Sequence, residues 1–275
     1  MEDKYYYLVS SLPQLKLDDY KGPYRVNDFV TELYDNLPPR HYDFVKDILR
    51  VNDHIHIVNV LLGQETPRVA SPGNLTFSQW KENLQNPDFE HAGYIKKFLQ
   101  EFEFAQKESQ KISRRFLENL IEKYFYETML KHDNYFMREY FKFDFELKNI
   151  VLALNQRKFN LENNDSLDLN NENVVVAYLK SSKTGDFGLS KEIDYLPGLM
   201  EAFEKKDLVY FEKYLDLLRW QKIEDINVFS YFKIDILLGY LVKLMLVERW
   251  ISLQVKKGRE IFQAKTQINV EALYN

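Results

Sequence analysis

Ser78-Gln79-Trp80-Lys81 places a hydroxyl three residues ahead of an amine, and Lys183-Thr184-Gly185 follows downstream. Together they suggest acyl transfer by an activated serine. That chemistry also needs a Ser-Asp-Asn element between them and a central sheet to carry the Lys-Thr-Gly strand, and the sequence offers neither. Asp186-Phe187-Gly188 has the spacing of a magnesium-holding loop in phosphoryl transfer. No glycine-rich loop, strand lysine or His-Arg-Asp segment precedes it to hold the nucleotide, and there is no G-x-x-x-x-G-K-[ST] phosphate loop. Of the five histidines, His54 and His56 are two apart, which on a helix points them to different faces. Asp88 and His91 form one D-x-x-H, whereas a di-metal bundle needs two histidine motifs and further carboxylates. The chain reads as chemically quiet, with no catalytic residue, metal or cofactor expected.

The elements that would position any such residues are helical. The chain has 275 residues, 45% hydrophobic and 29% charged, with only 9 glycines and 8 prolines. Few breakers in a long globular chain favour long helices. There is no cysteine, which removes disulfides, thiolate metal sites and a cysteine nucleophile. A net charge of −5 and the lack of a concentrated basic face argue against nucleic acid; Lys111, Arg114 and Arg115 sit near Glu108 and Glu118 and read as a solvated face. The N-terminus lacks the basic and apolar regions of a signal peptide. The most apolar stretch, Ile234 to Leu253, is interrupted by Asp235, Lys243, Glu248 and Arg249, so it is expected to be a buried helix and not a membrane span. A cytoplasmic protein is expected.

Lys4 to Leu12 is aromatic and β-branched and stops at Pro13, which predicts a short strand. Helices are expected at about Val26–Asn36 and Arg40–Gly63, followed by a Pro/Gly loop at Thr66–Asn74. Helical periodicity runs from Pro87 to Phe159 with a break near His132–Asn134; Ile95, Phe98, Leu99 and Phe102 fall at i, i+3, i+4, i+7. Asn160–Asn173 is rich in turn formers, and Ser181–Gly188 reads as a loop. Pro197 suits a first helical turn, and Asp207 is the expected N-cap of Leu208–Trp220. A long helix closes the chain from about Phe229 to Gln263. Units at 1–73, 74–170 and 171–275 follow from these breaks.

An internal echo organises the pattern. Tyr140-Phe141-Lys142-Phe143-Asp144-Phe145-Glu146-Leu147 returns as Tyr231-Phe232-Lys233-Ile234-Asp235-Ile236-Leu237-Leu238, with five of eight positions identical and a spacing of 91 residues (235 − 144). A weaker third copy begins near Asp53. A repeat of this kind points to one supersecondary unit used several times. Both clear copies are expected to open a helix with a thin polar stripe: Asp235, Gly239 and Lys243 in one, Asp144, Lys148 and Asn155 in the other.

Met200 to Leu253, with its EAFEKKD, YFEKYLDLL, GYLVK and ERWISL segments, resembles the C-terminal third of the C-type coupling protein of bacterial and archaeal V/A-type ATPases, whose eukaryotic counterpart is the d-type. The segment YFKFDFELKNIVLALNQRKF is similar to a recurrent helix of that family, with Asp144, Asn149, Ile150, Leu154 and Arg157 at matching places. The opening KYYYLVSSLPQL looks like a divergent family associated with bacterial V-type ATPases. The resemblance implies an all-α fold of two to three related helical bundles around a pseudo-threefold axis, shaped as a funnel. It also implies a non-catalytic component of the central stalk whose partners are the V-type ATPase axle subunits and the membrane rotor ring, with no small-molecule substrate. Such a component reaches the inner membrane only through the complex. On this resemblance Asp144, Asn149, Asp235 and Lys243 are the expected partner-facing residues. A helical adaptor unrelated to ATPases is the alternative.

Overall fold

The computed structural model describes residues 4–17, 22–65, 71–86, 92–108, 112–160 and 173–273, with side chains to 254. Among these residues every regular element is an α-helix, which makes the fold all-α. The helices are α1 (Tyr6–Ser11), α2 (Val26–Asn36), α3 (Pro39–Leu61), α4 (Phe77–Asn83), α5 (Gly93–Lys107) and α6 (Arg114–Met129). They continue as α7 (Tyr135–Phe159), α8 (Val174–Ser181), α9 (Leu196–Glu204), α10 (Leu208–Asn227) and α11 (Ile234–Leu273).

The expected N-terminal strand is instead α1. Leu8 is buried, and Tyr5, Val9 and Leu12 are packed beside it on the same core. Positions 5, 8, 9 and 12 are the i, i+3, i+4, i+7 stripe of a helix, and Pro13 stops it by holding Leu12 extended (ψ 125°). The helix α4 starts at a capping box: Thr76 accepts the Gln79 N–H, and the Gln79 side chain accepts the Thr76 N–H. Asn134, Asn173 and Asp207 cap α7, α8 and α10 by simple N-caps, each side chain accepting a backbone N–H from the first turn.

Two apolar cores hold the helices. The larger gathers residues from α1 to α7, such as Phe29, Ile57, Phe98, Phe125 and Phe145, with Ile223 of α10 and Leu237, Leu241 and Leu244 of α11. The smaller joins Phe143, Leu147, Ile150 and Leu154 of α7 to Phe187, Leu199, Phe211, Leu215 and Leu218. Both α7 and α10 therefore contribute to both cores, by different faces and lengths. Lateral ties reinforce this packing. Glu248 of α11 is buried and accepts the Val26 N–H at the start of α2 (2.8 Å) and the Ser71 hydroxyl (3.0 Å). A carboxylate at a helix N-terminus is favoured by the unpaired N–H groups and the helix dipole.

The echo is helical in its second half in both copies, but the copies sit differently. Asp144 lies mid-helix in α7, so that copy does not open a helix as expected. Asp235 is the second residue of α11, and Tyr231-Phe232-Lys233 form a turn in which Phe232 has φ +55°. The break at His132–Asn134 and the end of α7 at Phe159 fall where the sequence places them.

Candidate functional site

The look-alike catalytic motifs lie on one short helix and one tight turn. Ser78 and Lys81 lie on the short α4 packed against α3. The turn 182–188 is clasped to the end of α7 by Arg157, which donates to the carbonyls of Ser182 (2.6 Å), Thr184 and Gly185 (3.3 Å) and stacks over the Phe187 ring at 3.6 Å. Asp186 closes that turn by accepting the Gly188 N–H (3.0 Å), which together with the Ser190 and Thr184 side chains lowers its pKa to about 2. His54 is buried, paired with the Tyr94 hydroxyl (2.9 Å), and burial pushes its pKa down to about 3. Asp88, His91 and Lys111 lie outside the described residues. Among the described residues no three His, Asp or Glu side chains converge as metal ligands.

Where the two cores meet, a ladder of alternating charges fills the space between α7, α10 and α11. Arg219 donates Nε to Asp144 (2.8 Å) and Nη1 to Asp216 (3.0 Å). Asp216, wholly buried, also accepts from Arg249 Nη2 and from the Trp250 indole (2.8 Å). Arg249 Nη1 reaches Glu212 (3.1 Å), and Tyr126 donates its hydroxyl to Asp144 (2.6 Å). Burial alone would raise the pKa of Asp144; Arg219, Lys148 and the Tyr126 hydroxyl outweigh it and hold it at about 2. The same carboxylates outweigh burial at Arg219 and keep its guanidinium charged. Each charge thus has an opposite partner, the condition under which buried ions are tolerated.

Above this ladder opens a cleft of about 530 Å³. Its sides are Ile48, Val51, Asn52 and Ile55 of α3 facing Val242, Met245, Leu246, Arg249 and Leu253 of α11, with Asp144, Lys148 and Arg219 in its floor. A second cavity, about 800 Å³, lies at the end of the bundle where α3, α7 and α11 begin. Exposed aromatics surround that end: Tyr6, Tyr7, Tyr34, Tyr135, Tyr231 and Phe229, the last 81% exposed. At this end Tyr5 donates its N–H to the Phe232 carbonyl (2.7 Å) and its hydroxyl meets His41 (2.5 Å), while Tyr6 packs on Phe232 (4.7 Å) and Tyr34 on Tyr42 (5.2 Å).

The four residues singled out in the sequence are placed as follows. Asp144 belongs to the ladder and touches the cleft. Asn149 is buried, and its amide donates to the Phe145 carbonyl one turn back (2.9 Å). Asp235 is buried and accepts from the Asn134 amide (2.7 Å). Lys243 pairs with Glu224 (3.0 Å) and lies over the Trp220 ring (4.6 Å). The stripe Asp235–Gly239–Lys243 is turned toward α10: Asn227 donates to the Asp235 carbonyl (3.1 Å), and a methyl at Gly239 would come 2.8 Å from Ile223 Cγ2. Arg219, Asp216, Arg249 and Trp250 were missed by sequence reasoning. Their only local signal is the Asp216–Arg219 spacing of three, which puts opposite charges on one helix face.

The weak third copy is informative. Asp53 is wholly buried in α3 and accepts from the Asn74 amide (2.7 Å), the Leu75 N–H (3.2 Å) and the Trp80 indole (3.0 Å). All three echo aspartates, on α3, α7 and α11, are therefore buried ties to other elements, and α11 packs against both α3 and α7.

These features define an all-helical protein braced by buried carboxylates, in which no helix among the described residues is long and apolar enough to cross a membrane. Over residues 1–269 the chain matches the family described as "Protein of unknown function (DUF2764)", and it belongs to that family. No curated protein and no solved structure matches it.

Proposed function

We propose that the protein is a non-catalytic coupling component of a bacterial V-type ATPase, joining the central axle to the membrane rotor ring. The observation that carries the reading is the recurrence of a buried, hydrogen-bonded aspartate on the three long helices α3, α7 and α11. Copied helical units braced in this way are what a rigid, repeat-built socket requires. Two separate surfaces add support, because a coupling body must grip one partner with each. The aromatic end begins at Ile234, and the far rim of the cleft is at Leu253; nineteen residues of α11 set them about 28 Å apart at a helical rise of about 1.5 Å per residue. Exposed aromatic clusters are typical of protein interfaces. In this reading the protein is peripheral to the inner membrane and is held there by the ring.

The test is co-purification. Tagged protein expressed from its own locus is expected to bring down catalytic, axle and ring subunits of the ATPase. Membranes from cells lacking it are expected to hydrolyse ATP without accumulating the transported ion. Recovery of the tagged protein free of every ATPase subunit, with ATP-driven ion uptake unchanged in its absence, refutes the proposal.

A further inference from the structure

The aromatic end of the bundle is one contiguous patch. Tyr34 packs on Tyr42, whose neighbour His41 meets the Tyr5 hydroxyl, and Tyr6 packs on Phe232 next to the exposed Tyr231. His41 also lines the cavity at this end, together with Phe229 and Tyr135. Tyr7 is 78% exposed, Tyr231 70% and Tyr34 67%. With Tyr6, Tyr135 and Phe229 they expose the equivalent of about four whole aromatic side chains, roughly 800 Å² at ~200 Å² each. The largest apolar patch on an ordinary monomer is about 300–600 Å², whereas each partner in a standard stable interface contributes about 800 Å². The patch is larger than a lone chain leaves bare and has the size of one side of such an interface.

The charges at this end narrow the occupant. Arg40 and Lys233 line the cavity beside Asp133 and Asp225. Arg40, Asp133 and Asp225 are exposed, and none of their side chains is in an ion pair or hydrogen bond with another described residue. A wholly acidic or wholly basic partner would meet like charge as often as opposite charge here, which is unfavourable. A surface with the same mixture meets a complement at every charge. The simplest such surface is this one, turned about a two-fold axis: in an isologous contact residue i of one copy meets residue j of the other, and j meets i.

We propose that two copies of this chain pair end to end through the aromatic patch about a two-fold axis, with Arg40 of each copy meeting Asp133 and Asp225 of the other. The inference goes beyond the coupling reading and does not rest on it; the paired form is the protein outside any larger assembly.

Sedimentation of the purified full chain over a range of concentrations tests it. A species of twice the 33.1 kDa chain mass is expected, dissociating on dilution. Phe229→Ala and Tyr231→Ala are each expected to weaken pairing by at least about tenfold, as truncation of an aromatic anchor does. Arg40→Asp alone, and Asp133→Arg combined with Asp225→Arg, are each expected to be monomeric, because every cross-contact then joins like charges. Mixed in equal amounts, these two variants are expected to pair with each other: the substituted groups attract across one half of the interface and the native groups across the other. No folding defect would be repaired by such mixing. Arg40 lies in the first turn of α3 and Asp225 in the last turn of α10, where a carboxylate and a cation respectively suit the helix dipole, so circular dichroism of the variants is expected to match the parent chain. A single 33.1 kDa species at every concentration overturns the proposal. So do an open-ended series of oligomers, a dimer indifferent to Phe229→Ala and Arg40→Asp, and a mixture of the two charge variants that stays monomeric. None of these results decides whether ATPase subunits co-purify with the protein, so the two readings fail separately.

Discussion

Replacing Asp216 tests whether the charge ladder holds the two cores together. Its carboxylate accepts from Arg219 Nη1 (3.0 Å), Arg249 Nη2 and the Trp250 indole (2.8 Å), and it is wholly buried. Removing one partner of a buried ion pair costs about 3–5 kcal/mol, because the remaining charge is stranded. Here neither arginine is stranded completely: Arg219 keeps Asp144 at 2.8 Å and Arg249 keeps Glu212 at 3.1 Å. Asp216→Ala is therefore expected near the lower end, about 3 kcal/mol. Asp216→Asn keeps one acceptor oxygen but turns an amide donor toward a guanidinium, and should cost about 2 kcal/mol. Trp250→Phe removes a single neutral donor and leaves the ions paired, at about 1 kcal/mol for the hydrogen bond. Urea unfolding of the full chain, followed by far-UV circular dichroism, gives the three values. Asp216→Ala costing under about 1 kcal/mol, or no more than Trp250→Phe, would show that the ladder is a bystander of the packing.

His54 predicts an acid sensitivity. Its folded pKa of about 3 lies below the ordinary 6.5, so the unfolded chain takes up the proton first and stability falls as pH drops from about 6.5 toward 3. Between pH 6.5 and 5 the loss is about 2 kcal/mol, and His54→Gln, which can still pair with Tyr94, should flatten that slope in pH-dependent urea melts. Gly239→Ala should destabilise despite the higher helix propensity of alanine, worth about 1 kcal/mol, because the added methyl meets Ile223 Cγ2 at 2.8 Å and Asn227 closer still; a rise in melting temperature would refute that packing. Asp53→Asn should cost less than Asp144→Asn, because burial raises the pKa of Asp53 and disfavours its charge, whereas Arg219 and Lys148 hold Asp144 ionised. Equal losses in thermal melts would contradict this.

Local signals were legible wherever one force dominates. The helix Val26–Asn36 coincides with its sequence-defined span, and α3 begins and ends within two residues of the expected Arg40–Gly63, because apolar spacing and flanking Pro and Gly act along the chain. Asp207 caps α10 as its residue type demands. The helix α1 was obscured by composition: three consecutive tyrosines and a valine suggest a strand, although the buried positions follow helical spacing. The helix α4 carried a readable Thr76–Gln79 capping box that went unread. The ladder was illegible for a different reason. Asp144 and Arg219 are 75 residues apart, and Asp216 and Trp250 are 34 apart; only the packing of α7, α10 and α11 makes them neighbours. The polar stripe of α11 reads as partner-facing because a sequence cannot show that Glu224 and Asn227 of α10 meet it within the chain.

The echo explains why a charge persists at three costly places. A buried aspartate is a poor stabiliser compared with an apolar residue of similar size, so its recurrence at positions 53, 144 and 235 calls for something other than stability. Each of the three specifies a register. If α11 slid by one turn, about 5.4 Å, Asp235 would leave Asn134, Glu248 would leave the Val26 N–H, and Arg249 would leave Asp216 together. Several buried polar groups would then be unpaired at once, each at about 1–3 kcal/mol or more for ions. Apolar contacts alone tolerate such slippage far better, since one leucine surface resembles the next. Helices tied in this way do not creep past one another, and Asp235 and Asp216 oppose that motion of α11 directly.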